Sequence, residues 1–227
     1  MMTRTHPDRG HPIGRGIGTL AGLLVLGACS GAPSEAPGAA GASLPDGYAL
    51  RLDRVNRDRA NFVVTEADGG LTVSTGPAGI LYRIDGRVDA DRYTVRARFT
   101  EVNAPVGHRE GFGLFVGGQE LGGDAQRYLY FLVRGDGRYL VKRREGEATT
   151  EISAGWQPSA AIRMPGADGA EVANALAVAV ENGLVTLSVN GEAVARLELE
   201  PAALRGVAGV RVNHNLAVRI EQFAVEP

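Results

Sequence analysis

Residues Leu176–Leu199, LAVAVENGLVTLSVNGEAVARLEL, contain two Asn-Gly pairs, Asn182-Gly183 and Asn190-Gly191, each set between alternating apolar residues. Asn-Gly in a two-residue loop specifies a type I′ turn, which needs positive φ at both central positions. The two turns can be tested against each other. The first pairs Glu181 with Leu184, Val180 with Val185, Val178 with Leu187 and Leu176 with Val189. The second pairs Val189 with Glu192 and Leu187 with Val194. Together they put Leu176, Val178, Val180, Val185, Leu187, Val189 and Val194 on one face of a three-stranded meander. A slip of one residue would expose that whole face, so the register is tightly specified.

The rest of the chain from about Tyr48 onward follows the same two-residue period. Strands are predicted at Ala49–Leu52, Phe62–Thr65, Leu71–Ser74, Ile80–Ile84, Tyr93–Thr100, Gly111–Val116, Arg127–Arg134, Arg138–Arg143 and Thr149–Ile152. Two more follow the meander, at Ala208–Val212 and Leu216–Val225. No segment long enough for a helix sustains apolar spacing at i, i+3, i+4 and i+7, and only Pro201–Leu204 suits a short helical turn. Near the end, Val218 and Ile220 share one parity and Phe223 and Val225 the other. A bulge at Glu221-Gln222 would re-aim Phe223 inward. Many short strands joined by Gly- and Asp-rich turns predict an all-β, antiparallel β-sandwich. At 227 residues with a formal net charge of −2, and with no basic stripe, the chain is not suited to nucleic acid.

The amino-terminal region has a different composition. Arg4, Arg9 and Arg15 precede an apolar run from Ile17 to Leu26, too short to span a bilayer but of the length of a signal h-region. The run ends in Leu26-Gly27-Ala28-Cys29, and Cys29 is the one cysteine of the chain. This sequence resembles the lipobox of bacterial lipoproteins. The resemblance implies a signal peptide over 1–28, lipidation of Cys29 and a membrane anchor. Ser30 is of the type associated with outer-membrane sorting in such lipoproteins, so the implied address is the bacterial cell envelope. Several acyl chains anchor far more firmly than one. The alternative is a secreted chain with an incidental cysteine. Residues 29–47 are expected to form the lipidated Cys and a flexible linker, since GAPSEAPGAAGAS has too little apolar surface to offset its ordering entropy. Residues 48–227 are expected to be the folded domain.

The segment from Asn174 to Gly191 is similar to the late strands of concanavalin A-like jelly rolls, which include laminin-G-like domains and the 3-keto-disaccharide hydrolase family. In these an Asn opens one strand and a Val-Asn-Gly or Leu-Asn-Gly turn closes the next. Asn174, Asn190 and Gly191 stand at those places. The stretch from Phe62 through DGGLTVSTG to RYTVRARF resembles the opening strands, so the likeness spans roughly 60–227. It implies a concanavalin A-like jelly roll of two curved sheets, one with a concave face that carries the ligand in many relatives. His214 matches a His-containing turn of the hydrolase family. Val172 and Ala173 replace its Trp, and Glu221-Gln222 stand where Arg-Asn occurs. The Glu-x-Asp-x-x-Glu motif of glucanases is absent, and the spacing of Glu145, Glu147 and Glu151 does not suit two carboxylates flanking one bond.

Three groups of residues carry candidate chemistry. Asp85, Asp89 and Asp91 lie between two predicted strands and could offer oxygens to Ca²⁺, although Asp is equally a turn former. If Leu129, Phe131 and Val133 face the core, then Tyr128, Tyr130 and Arg134 face away from it. There the tyrosines could stack on a sugar while Arg134 or Gln119 binds hydroxyls, with His108 and Arg109 close by in sequence. They could equally cover the sheet. His214, in Asn213-His214-Asn215, could serve as an acid or base or simply occupy a tight turn. With only His108 and His214 beyond the signal region and no ligand spacing, zinc is not indicated.

The expected role is therefore binding of a carbohydrate or envelope glycan by a lipid-anchored β-sandwich, with no cofactor required. Alternatives are a 3-keto-glycoside hydrolase-like enzyme and a protein-interaction module of the envelope.

Overall fold

The computed structural model of the chain describes residues 43–54, 58–67, 69–102, 108–166 and 170–227. The predicted signal peptide, Cys29 and most of the predicted linker lie outside the described residues. In chain order the strands are β1 (Tyr48–Leu52), β2 (Phe62–Ala67), β3 (Gly70–Thr75), β4 (Gly79–Val88) and β5 (Arg92–Glu101). Next come β6 (Phe112–Gln119), β7 (Arg127–Arg134), β8 (Arg138–Glu145), β9 (Ala148–Glu151) and β10 (Gln157–Pro158). The last five are β11 (Ala173–Glu181), β12 (Leu184–Val189), β13 (Glu192–Glu198), β14 (Gly206–Val212) and β15 (Ala217–Glu226). Short 3₁₀ turns occupy Arg59–Asn61 and Pro201–Ala203, the second within the segment expected to form a short helical turn.

Among the described residues the strands form two antiparallel sheets. The first has the order β1-β4-β14-β6-β7-β8-β10, with β9 paired to β8; the second runs β13-β12-β11-β5-β15-β3-β2. The fold is thus an all-β sandwich. The meander supplies one edge of the second sheet. Both Asn-Gly turns have positive φ at both residues, 52° and 93° in the first and 51° and 87° in the second. The first hairpin has the predicted register throughout. The second departs from it: Leu187 faces Ala195 rather than Val194, because a bulge between Leu187 and Ser188 absorbs one residue. Val194 is only partly buried as a result. The predicted bulge in β15 is present between Glu221 and Ala224, with Gln222 at φ 54°, and Phe223 packs against the core. Leu44 also packs there, so the compact domain reaches back ahead of β1.

The motif asparagines hold loops rather than ligands. Asn174 Oδ1 accepts from Arg163 N at 2.8 Å and from Asn190 Nδ2 at 2.8 Å, while its Nδ2 donates to Arg163 O at 3.0 Å. Asn190 Nδ2 also donates to Ala161 O at 2.8 Å. The pair staples the 159–163 loop to the open end of the meander. Asn174→Ala should leave these backbone groups unpaired and cost about 1–3 kcal/mol in chemical denaturation. A change within error would mean that the loop is held by packing alone.

The main core lies between the sheets. It includes Val95, Phe99, Leu114, Phe131, Val178, Leu187 and Val210, the inward parity of their strands. The first sheet is buried on its outer face too. Phe115, Tyr128, Tyr130, Ile80, Leu132 and Leu121 form a second apolar cluster there, with Tyr82, Trp156 and Val207 against it. Two glycines make room for it. A Cβ on Gly209 would stand 2.6 Å from Phe115 Cε1, and one on Gly111 would stand 2.7 Å from Trp156 Cη2. Strands β6 and β7 are consequently buried on both faces, which explains their nearly continuous apolar sequence.

Candidate functional site

The outer face of the first sheet is built from cross-strand rows. In one, Tyr82, Gly209, Phe115, Tyr130 and Lys142 follow one another across β4, β14, β6, β7 and β8. In another, Arg51, Ile80, Arg211 and Gly113 cross β1, β4, β14 and β6. The first row belongs mostly to the aromatic layer, and the second places two arginines beside it. An arginine buried in such a layer needs a counter-charge, and Asp53, just past the end of β1, supplies it. Arg211 Nη1 and Nη2 donate to Asp53 Oδ1 and Oδ2 at 2.8 and 2.7 Å. Arg144 Nη2 approaches the same Oδ2 at 3.0 Å. Arg211 Nη1 also donates to Tyr128 Oη at 3.1 Å, and the guanidinium lies 4.6 Å from the centroid of the Tyr130 ring.

The electrostatics follow from this arrangement. Burial acts to raise the Asp53 carboxyl, but the Arg211 hydrogen bonds and the charges of Arg211 and Arg144 outweigh it and hold the pKa below the ordinary value. Asp53 is therefore a fixed anion and hydrogen-bond acceptor near neutral pH. Burial pushes the hydroxyls of Tyr128 and Tyr130 up, so both stay protonated.

Asp53 and Arg144 open onto a cleft of about 1230 Å³ that is also lined by Arg51, Asp124, Gln126, Thr149 and His214. Its described lining contains no Phe, Tyr or Trp. Gln126 is 3 % exposed, and its Oε1 is buried without a hydrogen-bond partner, as are the Nε atoms of Arg51, Arg144 and Arg211. Fixed planar amide, guanidinium and carboxylate groups converging on one concavity suit a ligand rich in hydroxyls.

The residues singled out in the sequence are distributed differently. Tyr128 and Tyr130 do face away from the inter-sheet core, but at 2 % and 4 % exposure they are not presented to solvent. The loop carrying Leu121 and the segment carrying Trp156 pack in the same layer, so the tyrosines lie beneath the site and support Arg211. Arg134 donates to Asp136 at 2.6 Å and stacks on Trp156 at 4.4 Å. Gln119 donates to Ala202 O and Arg205 O and so ties β6 to the 3₁₀ turn. His108 Nδ1 sits 3.2 Å from Glu101 Oε1, and Arg109 is exposed. None of these six residues lines the cleft. His214 does line it; the turn reading also holds, with Asn215 at φ 53°.

Asp85, Asp89 and Asp91 do not converge. Each carboxylate is held by an arginine, Arg83, Arg87 and Arg205 respectively, at 2.6–3.0 Å. Asp85 lies within β4 rather than in a loop, because the strand bulges there and continues to Val88. Among the described residues no three His, Cys, Asp or Glu come together as a metal site. Of the spaced acids, Glu147 lines the cleft, while Glu145 and Glu151 pair with Arg143 and Lys142 at 3.6 Å.

Asp53, Arg211, Arg144 and Gln126 were not among the sequence candidates. One signal pointed to them: Arg211 is the only charge in the apolar run Gly206–Val212, and a lone charge there implies a buried partner. Nothing local identifies Asp53 as that partner, 158 residues away.

No family model and no curated protein matches the chain. Solved structures share its fold. The carbohydrate binding module CBM66 from Bacillus subtilis superimposes with a TM-score of 0.59 at 10% identity, over 80% of this chain and 96% of that one. The Emp46p carbohydrate recognition domain in its metal-free form gives 0.54 at 13% identity, over 79% and 88%. An alginate lyase, A1-II′, gives 0.53 at 11% identity, over 79% and 93%. At these identities the likeness shows the fold alone, a jelly roll of two antiparallel sheets.

Proposed function

We propose that the domain binds carbohydrate, and that the cleft around Asp53 is its binding site. The observation that carries this reading is the set of polar groups at the cleft. Asp53, Gln126 and Arg144 are held in place by burial and ion pairing, and at the cleft they can meet a polyol without first being ordered. Sugar hydroxyls would donate to Asp53 and accept from the guanidinium groups. Two solved structures of this fold are described as a carbohydrate binding module and a carbohydrate recognition domain, which supports the same reading. Among the described residues no Phe, Tyr or Trp lines the cleft, so recognition would rest on hydrogen bonds rather than on stacking against such a ring.

The test is calorimetric titration of the purified chain with a panel of oligosaccharides and 3-keto-disaccharides, read for binding and for turnover. Saturable binding without turnover is expected. Thr149→Val, which removes one hydroxyl from the lining, should weaken binding a few-fold, the worth of about one hydrogen bond. Turnover of a 3-keto-disaccharide would replace the binding reading with an enzymatic one.

We propose further that the chain is an envelope lipoprotein held by Cys29. The support is the Leu26-Gly27-Ala28-Cys29 run after a charged and apolar leader. Cys29→Ser should abolish incorporation of a fatty-acid analogue in labelled cells. Label retained by the variant would refute the anchor.

A further inference from the structure

We infer that the cleft selects an acidic glycan, with a carboxylate or sulfate substituent seated against Arg51 and Arg144. This rests on reading the cleft as a glycan site. The argument is one of charge placement. Arg51 and Arg144 stand at the floor, Arg211 is buried behind it, and the carboxylate that Arg144 and Arg211 share is Asp53. The side chains of Arg144 and Arg211 are 7% and 5% exposed, and that of Arg51 is 15% exposed. Asp53 is already engaged by both Arg211 and Arg144. The buried charge is therefore unbalanced, since Arg211 and Arg144 share one carboxylate and, among the described carboxylates, Arg51 meets only the exposed Asp124.

Acidic residues also line the cleft, but they sit differently. Asp58, Asp124 and Glu147 are exposed, as is Arg54. The nearest approach is Asp124 Oδ1 to Arg51 Nη2 at 3.6 Å, and the Asp124 side chain is 96% exposed. Charges in water are screened within about 10 Å at ordinary salt, whereas buried charges are not. The floor therefore dominates the local field over the rim. An anionic group there would compensate the excess positive charge and offer oxygens in the geometry that guanidinium groups bind best. A neutral sugar offers only hydroxyls.

The experiment compares three ligands on one sugar type: a neutral galacto-oligosaccharide, an oligogalacturonate and a sulfated galacto-oligosaccharide, titrated into the full chain at low and high salt. One or both acidic ligands should bind about tenfold tighter than the neutral one or better, and the advantage should shrink with salt. Which acidic ligand leads distinguishes carboxylate from sulfate. Arg51→Gln should remove most of that advantage. Asp124→Asn, at a residue too exposed to threaten the fold, should raise acidic-ligand affinity by roughly two- to threefold by freeing Arg51. Arg98→Gln, on the second sheet, should leave it unchanged. Equal affinity for neutral and acidic ligands would overturn this inference and leave the glycan site standing. A loss in Arg98→Gln matching that in Arg51→Gln would also overturn it, as non-specific attraction. Binding of none of the three, with neutral glycans failing across the wider panel, would overturn the glycan site as well.

Discussion

Val189→Asp should abolish cooperative folding. Val189 is fully buried at the end of β12, opposite Leu176, in the apolar layer that the meander turns toward the other sheet. The substitution removes a packed side chain and inserts a carboxylate with no basic partner on that face. Desolvating an unpaired ion costs several kcal/mol even after relaxation, and the lost apolar burial adds about 2 kcal/mol more. A domain of this kind has only about 5–15 kcal/mol of net stability, so most or all of it is consumed. Thr186→Asp is the matched control. Thr186 is in the same strand at the opposite parity, half-buried on the outer face of the second sheet across from Arg196. It should fold with a small loss. Thermal melts followed by circular dichroism rank the two, and the reverse order would disprove the register.

Asp53→Asn should be the most damaging single change at the cleft. It keeps the shape but removes the charge on which Arg211 and Arg144 converge. Breaking a buried pair from one side costs about 3–5 kcal/mol, because the remaining charge stays buried without compensation. For a domain of this size that lowers the melting temperature by roughly 6–20 °C. The pH dependence has a definite sign. The folded-state pKa of Asp53 lies below its unfolded value of 3.8. Its contribution is therefore fully present above about pH 4 and is lost as pH falls through the lower, folded-state pKa. The gap between wild type and Asp53→Asn should be constant near neutral pH and should narrow in acid. A gap that widened in acid, or a loss under about 1 kcal/mol at pH 7, would mean that the guanidinium groups are solvated and the pair is not buried.

How much of this was legible in the sequence depends on the range of the interaction. The meander could be read because each Asn-Gly turn sets its own register from residues a few positions apart, and two turns had to agree. The β15 bulge could be read for the same reason, since Phe223 breaks parity with Ile220 within one strand. The slip at Val194 could not, because the bulge in the second hairpin has no local marker comparable to Asn-Gly. The face of Tyr128 and Tyr130 was legible, but their exposure was not. Alternation tells which side of a sheet a residue occupies, and only tertiary structure decides whether Leu121 and Trp156 cover that side. The unbroken run Leu129–Val133 was the available hint, since a strand with one wet face rarely lacks polar residues. Asp53 illustrates the limit. Its partners come from β8 and β14, and its own neighbours, Leu52 and Arg54, do not distinguish it from any turn aspartate.

The claim that the Asp53 cleft is a glycan site is tested most directly by mapping bound ligand onto the protein. Backbone and side-chain NMR shifts would be followed while the oligosaccharide that binds most tightly is titrated in. Saturable shifts should cluster at Asp53, Gln126, Arg144, Thr149 and His214, with those of the buried Tyr128 and Tyr130 smaller. Shifts centred instead on Arg96, Arg98 and Ser188, which line a shallow depression on the outer face of the second sheet, would contradict the account. So would the absence of saturable shifts with any glycan.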